Sequence, residues 1–310
     1  MDARYLHGIS RYQRPDSASF TPAWQGATVV EANLVLEGGA LRGAFTAGVL
    51  DFFMDEGLLP RQVIGVSAGA LNGFNYVAGA RGRSLYLNTT YCTYWRYFSM
   101  RSFLISGNVF NARFCYDTLV NKLEPFGFED YRTSPLDLIA VCSNVETGEA
   151  EYFDVTDPVA QIPYIQASAS MPLVSRTLYI DGKRLLDGGI CDSVPIEYSQ
   201  RTGAKKHILV LTREAGFIKQ PNGLLPLMRL RYLRYPRFYE RLATRHIEYN
   251  RVYRLIAQLE QEGEIFVIRP PEPVQVVSME HDPEKLFKLH AIGYEETSKS
   301  FEALKAYLGQ

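Results

Sequence analysis

The sequence predicts an α/β fold built on a mostly parallel central sheet with crossover helices, and three observations carry that expectation. Asn33–Glu37 (NLVLE) and Val63–Val66 are short apolar runs of strand length. Each leads through a glycine-containing turn into an apolar helical stretch, Ala44–Glu56 and Ala68–Ala80. Strand, turn and helix repeated twice within about fifty residues is the pattern of parallel strands joined by helices. Two later runs, Leu136–Ser143 and His207–Thr212, are apolar at nearly every position, as strands buried on both faces are.

The elements follow in order. Residues 1–32 are polar, proline-containing and weakly periodic, and read as an arm laid on the body. Gly38–Gly43 is a glycine-rich turn. Ala44–Glu56 is apolar nearly all round, so it reads as a buried helix stopped at Gly57. Ala68–Ala80 is rich in small residues and can pack closely on a sheet. Glu149–Asp154 reads as a strand pairing nearby, and Val159–Ser170 as a helix ending near Pro172. Leu178–Ile180 and Arg184–Leu186 flank a turn at Asp181–Gly182. Glu264–Ile268 is the last expected strand, and 283–308 a long closing helix. A core domain over 33–212 is therefore expected, with 213–310 a helical extension packed on it. Residues 81–133 are an aromatic-rich insert, including Tyr91, Trp95, Phe110 and Tyr116. It reads as a helical lobe with its own core, as an apolar wall over an active site, or as both.

Composition narrows the classes. A chain of 310 residues suits one large α/β domain or one with a modest appendage. With 46% hydrophobic and 22% charged residues it is an ordinary globular composition. A net charge of −1 gives no whole-molecule field toward nucleic acid or an anionic surface. The four cysteines form no CxxC pair and no histidines stand at zinc spacing, so no metal is expected and a reducing compartment fits. The N-terminus lacks the apolar region of a signal peptide, and no run reaches the ~18 apolar residues of a membrane span. The expected place is the cytoplasm.

Gly65-Val66-Ser67-Ala68-Gly69 is a G-x-S-x-G sequence directly after an apolar strand and directly before a small-residue helix. That setting matters more than the pentapeptide. A nucleophilic serine on a sharp strand-to-helix turn needs small neighbours, and Gly65 and Gly69 supply them. The helix N-terminus behind it favours developing negative charge. About 25 residues earlier, Gly38-Gly39-Ala40-Leu41-Arg42-Gly43 can present backbone N–H groups to an oxyanion. As a phosphate loop it fails twice: Gly43 is followed by Ala44 rather than Lys-Ser or Lys-Thr, and Ala40 stands where a dinucleotide fingerprint has glycine. Arg42 reads as a residue that holds the loop, attracts a substrate anion, or is simply solvated.

The base is less obvious. A Ser-His-Asp enzyme needs a histidine in a late loop. Of His7, His207, His246, His281 and His290, only His281, in MEHDPEK, is a serious candidate. Asp187, in Leu185-Leu186-Asp187-Gly188-Gly189, is the better one. A carboxylate at a strand end followed by two glycines can approach another loop closely, and burial can raise its basicity from about 4. As isolated pieces, Asp-Gly-Gly and the glycine loop are ordinary turns.

Taken in order, GGALRG at 38–43, GVSAG at 65–69 and DGG at 187–189 resemble the patatin-like phospholipases, here in a style closest to bacterial members. Ala167-Ser168-Ala169-Ser170-Met171-Pro172 is similar to the family's segment before its aspartate. The resemblance covers about residues 33–212. It implies a three-layer fold of mostly parallel sheet between helices, a Ser67–Asp187 dyad, an oxyanion hole from Gly38–Gly43, no metal or cofactor, and hydrolysis of phospholipid or other lipid acyl esters. One departure stands out. The family usually has a third consecutive glycine where this chain has Ala40, and alanine disfavours positive φ. Two other readings use the same residues: a Ser-His-Asp esterase through His281, and a lipid-binding protein that keeps the fold without turnover.

From Arg229 to Arg254 eight arginines interleave with tyrosine and phenylalanine. The stretch reads as a solvated helical face or as a peripheral contact with an anionic membrane. No recognition motif for nucleic acid accompanies it, and the sequence carries no signature of an oligomeric state.

Overall fold

The computed structural model describes residues 27–310. Most of the expected arm therefore lies outside the described residues. Its last part is not an arm: the first strand, β1, runs over Thr28–Leu36, five residues earlier than its apolar centre suggests. Exposed Glu31 interrupts the apolar run and pairs at the surface with Arg61. The pairing with β2 (Leu58–Val66) slips at the same place, between Val30 and Asn33. β2 likewise starts before Val63. Pro60 is tolerated there because β2 has no partner on its β3 side until Gln62.

Between these strands runs α1 (Ala44–Asp55), buried on nearly every side. After β2 come α2 (Ala68–Val77) and then the lobe of α3 (Arg83–Tyr91), α4 (Met100–Ser106), a π-helical segment over Phe114–Leu123, and α5 (Phe128–Arg132). The chain re-enters the sheet at β3 (Asp137–Asn144) and turns back as β4 (Ala150–Asp154). Then follow α6 (Ile162–Ser168), β5 (Leu178–Ile180), β6 (Lys183–Asp187), α7 (Ile196–Arg201) and β7 (His207–Val210). Asp181 and Gly182, at φ of 47° and 79°, make the tight turn between β5 and β6 that their sequence suggests. The remainder is α8 (Leu225–Arg231), α9 (Pro236–Gln261), β8 (Phe266–Ile268) and α10 (Pro283–Leu308).

The sheet order is β5-β6-β3-β2-β1-β7-β8, with β4 also on β3. The run from β3 to β8 is parallel, β4 and β6 each pair antiparallel with β3, and β5 pairs antiparallel with β6. Side chains alternate across it. Leu34, Leu36, Val63, Leu138, Ala140, Ile208 and Val210 face one core with α1, α2 and α10. Val35, Ile64, Val66, Ile139, Val141 and Leu209 face a second core closed by α7 and α9. Both faces being buried is why the strands read as continuous apolar runs. The result is three layers, a mostly parallel sheet between helices. The C-terminal part does more than sit on this body: β8 extends the sheet and α9 roofs one face.

Candidate active site

The site stands at the carboxyl ends of the parallel strands, where open α/β sheets hold ligands. Val66 pairs with Val141 and Asp187 pairs with Cys142. This register puts the residue after β2 and the last residue of β6 on opposite flanks of the same point on β3. Ser67 and Asp187, 120 residues apart in sequence, meet there: the Ser67 hydroxyl donates to Asp187 Oδ2 at 2.7 Å.

Ser67 sits at φ 55°, ψ −119°, a strained conformation for a residue with a side chain. The turn is so tight that a Cβ at Gly69 would stand 2.3 Å from the Leu36 carbonyl oxygen. The Ser67 N–H donates to Ser168 Oγ at 2.9 Å, and that hydroxyl donates to the Val141 carbonyl at 2.6 Å. Ser168 thus ties the elbow to β3. Neither role was visible in sequence, since a buried serine carries no spacing signal of its own.

Asp187 is buried. Its Oδ1 accepts from the Gly189 N–H at 2.8 Å, and its backbone carbonyl accepts from Ser143 Oγ at 2.8 Å. The chain leaves β6 across the back of β3, where a Cβ at Gly188 would be 2.1 Å from the Val141 oxygen. Burial pushes the Asp187 carboxyl above the usual carboxylate range; the bond from Ser67, the charge of Arg245 and the Gly189 N–H oppose this without cancelling it. Arg245 comes from α9. Its guanidinium donates to the Gly189 carbonyl and to Ser193 Oγ.

The glycine loop lies beside the elbow: a Cβ at Gly38 would be 3.1 Å from Ser67 Cβ. The loop's far half is a short 3₁₀ turn, Ala40–Gly43. There the Arg42 N–H donates to the Gly39 carbonyl at 3.1 Å and the Leu41 N–H to the Ser278 carbonyl at 3.4 Å. Gly38, Gly39 and Ala40 make no such backbone donation among the described residues, so three of the six loop amides stay open. Ala40 has φ of 48°, the left-handed conformation in which its methyl group is a burden. Arg42 Nη1 donates to Ser278 Oγ at 3.0 Å, which makes it a holder of the loop. Glu37, just before the loop and 1% exposed, accepts from the Thr212 N–H at 2.6 Å, from the Thr212 hydroxyl, and from Tyr249 and Tyr253 of α9.

Ser67 opens on a cavity of about 140 Å³, an order of magnitude more than the ~10–15 Å³ one water needs. Its walls are mainly apolar and aromatic, among them Leu71, Phe74, Tyr116, Leu119, Phe126 and Met171. Tyr91, Phe114 and Leu119 form a small core of their own, while the π-helical segment turns Cys115, Tyr116, Leu119 and Val120 toward the cavity.

No histidine ring bonds to Ser67 or Asp187 among the described residues. His281, the triad candidate, is stacked on Phe98 and bonds through Nδ1 to the Cys92 carbonyl at 2.7 Å. His207 bonds to Ser199 and His290 to Asp51; His7 lies outside the described residues. The polar contact of the Ser67 hydroxyl is thus with the Asp187 carboxylate and not with a histidine among the described residues. Among the described residues no three His, Cys, Asp or Glu side chains converge as a metal site, and no helix is long and apolar enough to cross a membrane.

The fold and the site together define the class, an α/β protein with a serine elbow and a buried carboxylate at the ends of its sheet strands. Residues 34–199 match the family model for patatin-like phospholipases, and the chain belongs to that family. At this level it is a lipid acyl hydrolase. Residues 235–309 match a second model, a domain of unknown function, DUF6363. The uncharacterized protein YjjU of Escherichia coli (strain K12) is 26% identical over 272 residues, covering 79% of this chain and 70% of that one. The crystal structure of VipD from Legionella pneumophila aligns at a TM-score of 0.43 and 14% identity, over 88% of this chain and 67% of that one.

Proposed function

We propose that the protein hydrolyses acyl esters of phospholipids or related lipids, with Ser67 as nucleophile, Asp187 as base and the Gly38–Gly43 loop as oxyanion hole. The 2.7 Å hydrogen bond from Ser67 to Asp187 at the floor of an apolar cavity carries this reading. The cavity takes the acyl chain and sets the ester carbonyl above Ser67. As Ser67 Oγ attacks, its proton passes to Asp187. Burial has already made that carboxylate a stronger base than a solvated one. The carbonyl oxygen, now negative, accepts from the open amides of Gly38, Gly39 and Ala40, aided by the N-terminus of α2. Collapse expels the alcohol, which takes the proton from Asp187. Water then attacks the acyl-enzyme, with Asp187 accepting its proton and returning it to Ser67.

The test is a panel of phospholipids, lysophospholipids and neutral lipid esters with wild type, Ser67→Ala and Asp187→Asn, read by mass spectrometry. Ser67→Ala is expected to abolish both turnover and fluorophosphonate labelling. Asp187→Asn is expected to lose about 10²–10⁴-fold in rate while remaining folded, the usual worth of a general base. Normal lipolysis by Ser67→Ala refutes the proposal. Liposome binding without turnover by wild type assigns the fold-retaining, non-catalytic role instead.

A further inference from the structure

We propose that α8, with α4 beside it, seats the protein on a bilayer that contains anionic lipid. This rests on the lipid-hydrolase reading above and adds the surface at which the substrate is met. From Leu224 to Arg237 leucines and arginines interleave. Met228 and Tyr232 point inward to a cluster with Leu186 and Phe238. Leu224, Leu227, Leu230 and Leu233 remain exposed, Leu230 at 68%. Arg229, Arg231, Arg234 and Arg237 are exposed too, and none of the four has an acidic partner among the described residues. Arg251, further along, pairs with Glu197 and Glu248, and Arg241 and Arg245 bond to backbone carbonyls. The docking face is thus the start of the basic stretch together with the leucines before it, not the whole of 229–254.

A bilayer interface answers both halves of this surface. Leucines enter the acyl boundary while guanidiniums stay among lipid phosphates. A protein partner would have to place carboxylates against four separate arginines, whereas lipid phosphates rearrange to meet them. The location fits as well. Leu173 packs in the α8 cluster. The Val174 carbonyl accepts from the Val109 N–H, and the Arg176 N–H donates to Asn108 Oδ1, both at 2.8 Å, just beyond α4. On α4, Met100, Leu104 and Ile105 are exposed, Leu104 at 82%. The two apolar faces therefore flank one strip, 171–176, and Met171 at its head lines the Ser67 cavity.

The test uses the full-length Ser67→Ala protein, which leaves lipid intact, sedimented with phosphatidylcholine vesicles with and without phosphatidylglycerol. Binding is expected on the phosphatidylglycerol vesicles, with less on phosphatidylcholine alone and less at high salt. Leu227→Ser/Leu230→Ser and, separately, Arg229→Gln/Arg234→Gln are each expected to weaken it roughly tenfold or more. With Ser67 restored, both pairs keep wild-type turnover of a soluble short-chain ester, which shows that fold and cavity are intact. Absence of vesicle binding, or wild-type binding by both pairs, overturns the proposal. So does self-association that the leucine pair abolishes, which assigns the face to a second copy. Failure of ester turnover in every protein would instead count against the hydrolase reading, because sedimentation does not depend on it.

Discussion

Replacing Ala40 with glycine isolates the one place where the Gly38–Gly43 loop departs from three consecutive glycines. Ala40 is held at φ of 48°, and an L-residue in the left-handed region gives up roughly 1–2 kcal/mol. Glycine removes that strain but frees the unfolded chain, returning about 0.5–1 kcal/mol. The net expectation for Ala40→Gly is a gain of about 0.5–1 kcal/mol. For a chain of this size that is a rise in Tm of about 1–4 °C. Ala40→Val adds a β-branched side chain at positive φ and is expected to cost more than ~1 kcal/mol. Urea unfolding of the three proteins, checked for equal m-values, measures both differences. A loss of stability in Ala40→Gly refutes the reasoning, since that is what glycine does at an ordinary helical position. Soluble-ester turnover in the same samples reports the catalytic side: relief of strain at an open amide is expected to leave kcat equal or higher.

Tyr249→Phe is expected to cost about 1–3 kcal/mol, because Tyr249 is the single donor to Glu37 Oε1 among the described residues and a buried carboxylate oxygen is then left bare. Tyr253→Phe is expected to cost less, since Glu37 Oε2 keeps the Thr212 bonds; calorimetry in which Tyr253→Phe is the worse variant contradicts this. Asp192, half-buried and pushed up by desolvation to about 6 from 3.8, is a group whose folded pKa lies above its unfolded one. Its stability contribution is full below about pH 4 and lost as pH rises through 6. Asp192→Asn is therefore expected to gain on the order of 2–3 kcal/mol over wild type at pH 8 and almost nothing at pH 4, by denaturant midpoints; equal differences at the two pH values would reject it. Ending the chain after Thr212 is expected to give insoluble, inactive protein, and a soluble truncated hydrolase would show that α9 is dispensable.

The candidate site was legible in sequence wherever its geometry is local. Gly65 to Gly69 and Asp187 to Gly189 are short motifs whose neighbours dictate the turn, and the strands announce themselves because both sheet faces are buried. The start of β1 was hidden by Glu31, one exposed charge in a paired strand. The supports of the site were hidden by distance. Tyr249 and Arg245 act on Glu37 and Gly189, 212 and 56 residues away, and nothing within a basic, aromatic helix distinguishes an inward arginine from a solvated one. Ser143 is silent for the opposite reason, being an uncharged residue in apolar surroundings whose value lies wholly in what the fold brings to it, and Ser168 stood out only as part of a segment similar to the family's, with no role attached.

The helix that looked most like a surface feature is what makes the site a single object. Phe238, Leu242, Val252, Ile256 and Leu259 of α9 are all buried. At about 1.5–3 kcal/mol for each such side chain, their packing is of the same order as the 5–15 kcal/mol by which a whole domain is stable. The same helix sends Tyr249 and Tyr253 to Glu37, just before the glycine loop, and Arg245 to the turn that holds Asp187. The glycine loop, the Asp187 turn and the sheet roof thus share one helix. The segment matching the phospholipase family supplies Ser67 and Asp187, and the segment matching a domain of unknown function supplies the packing and hydrogen bonds that hold their surroundings in register.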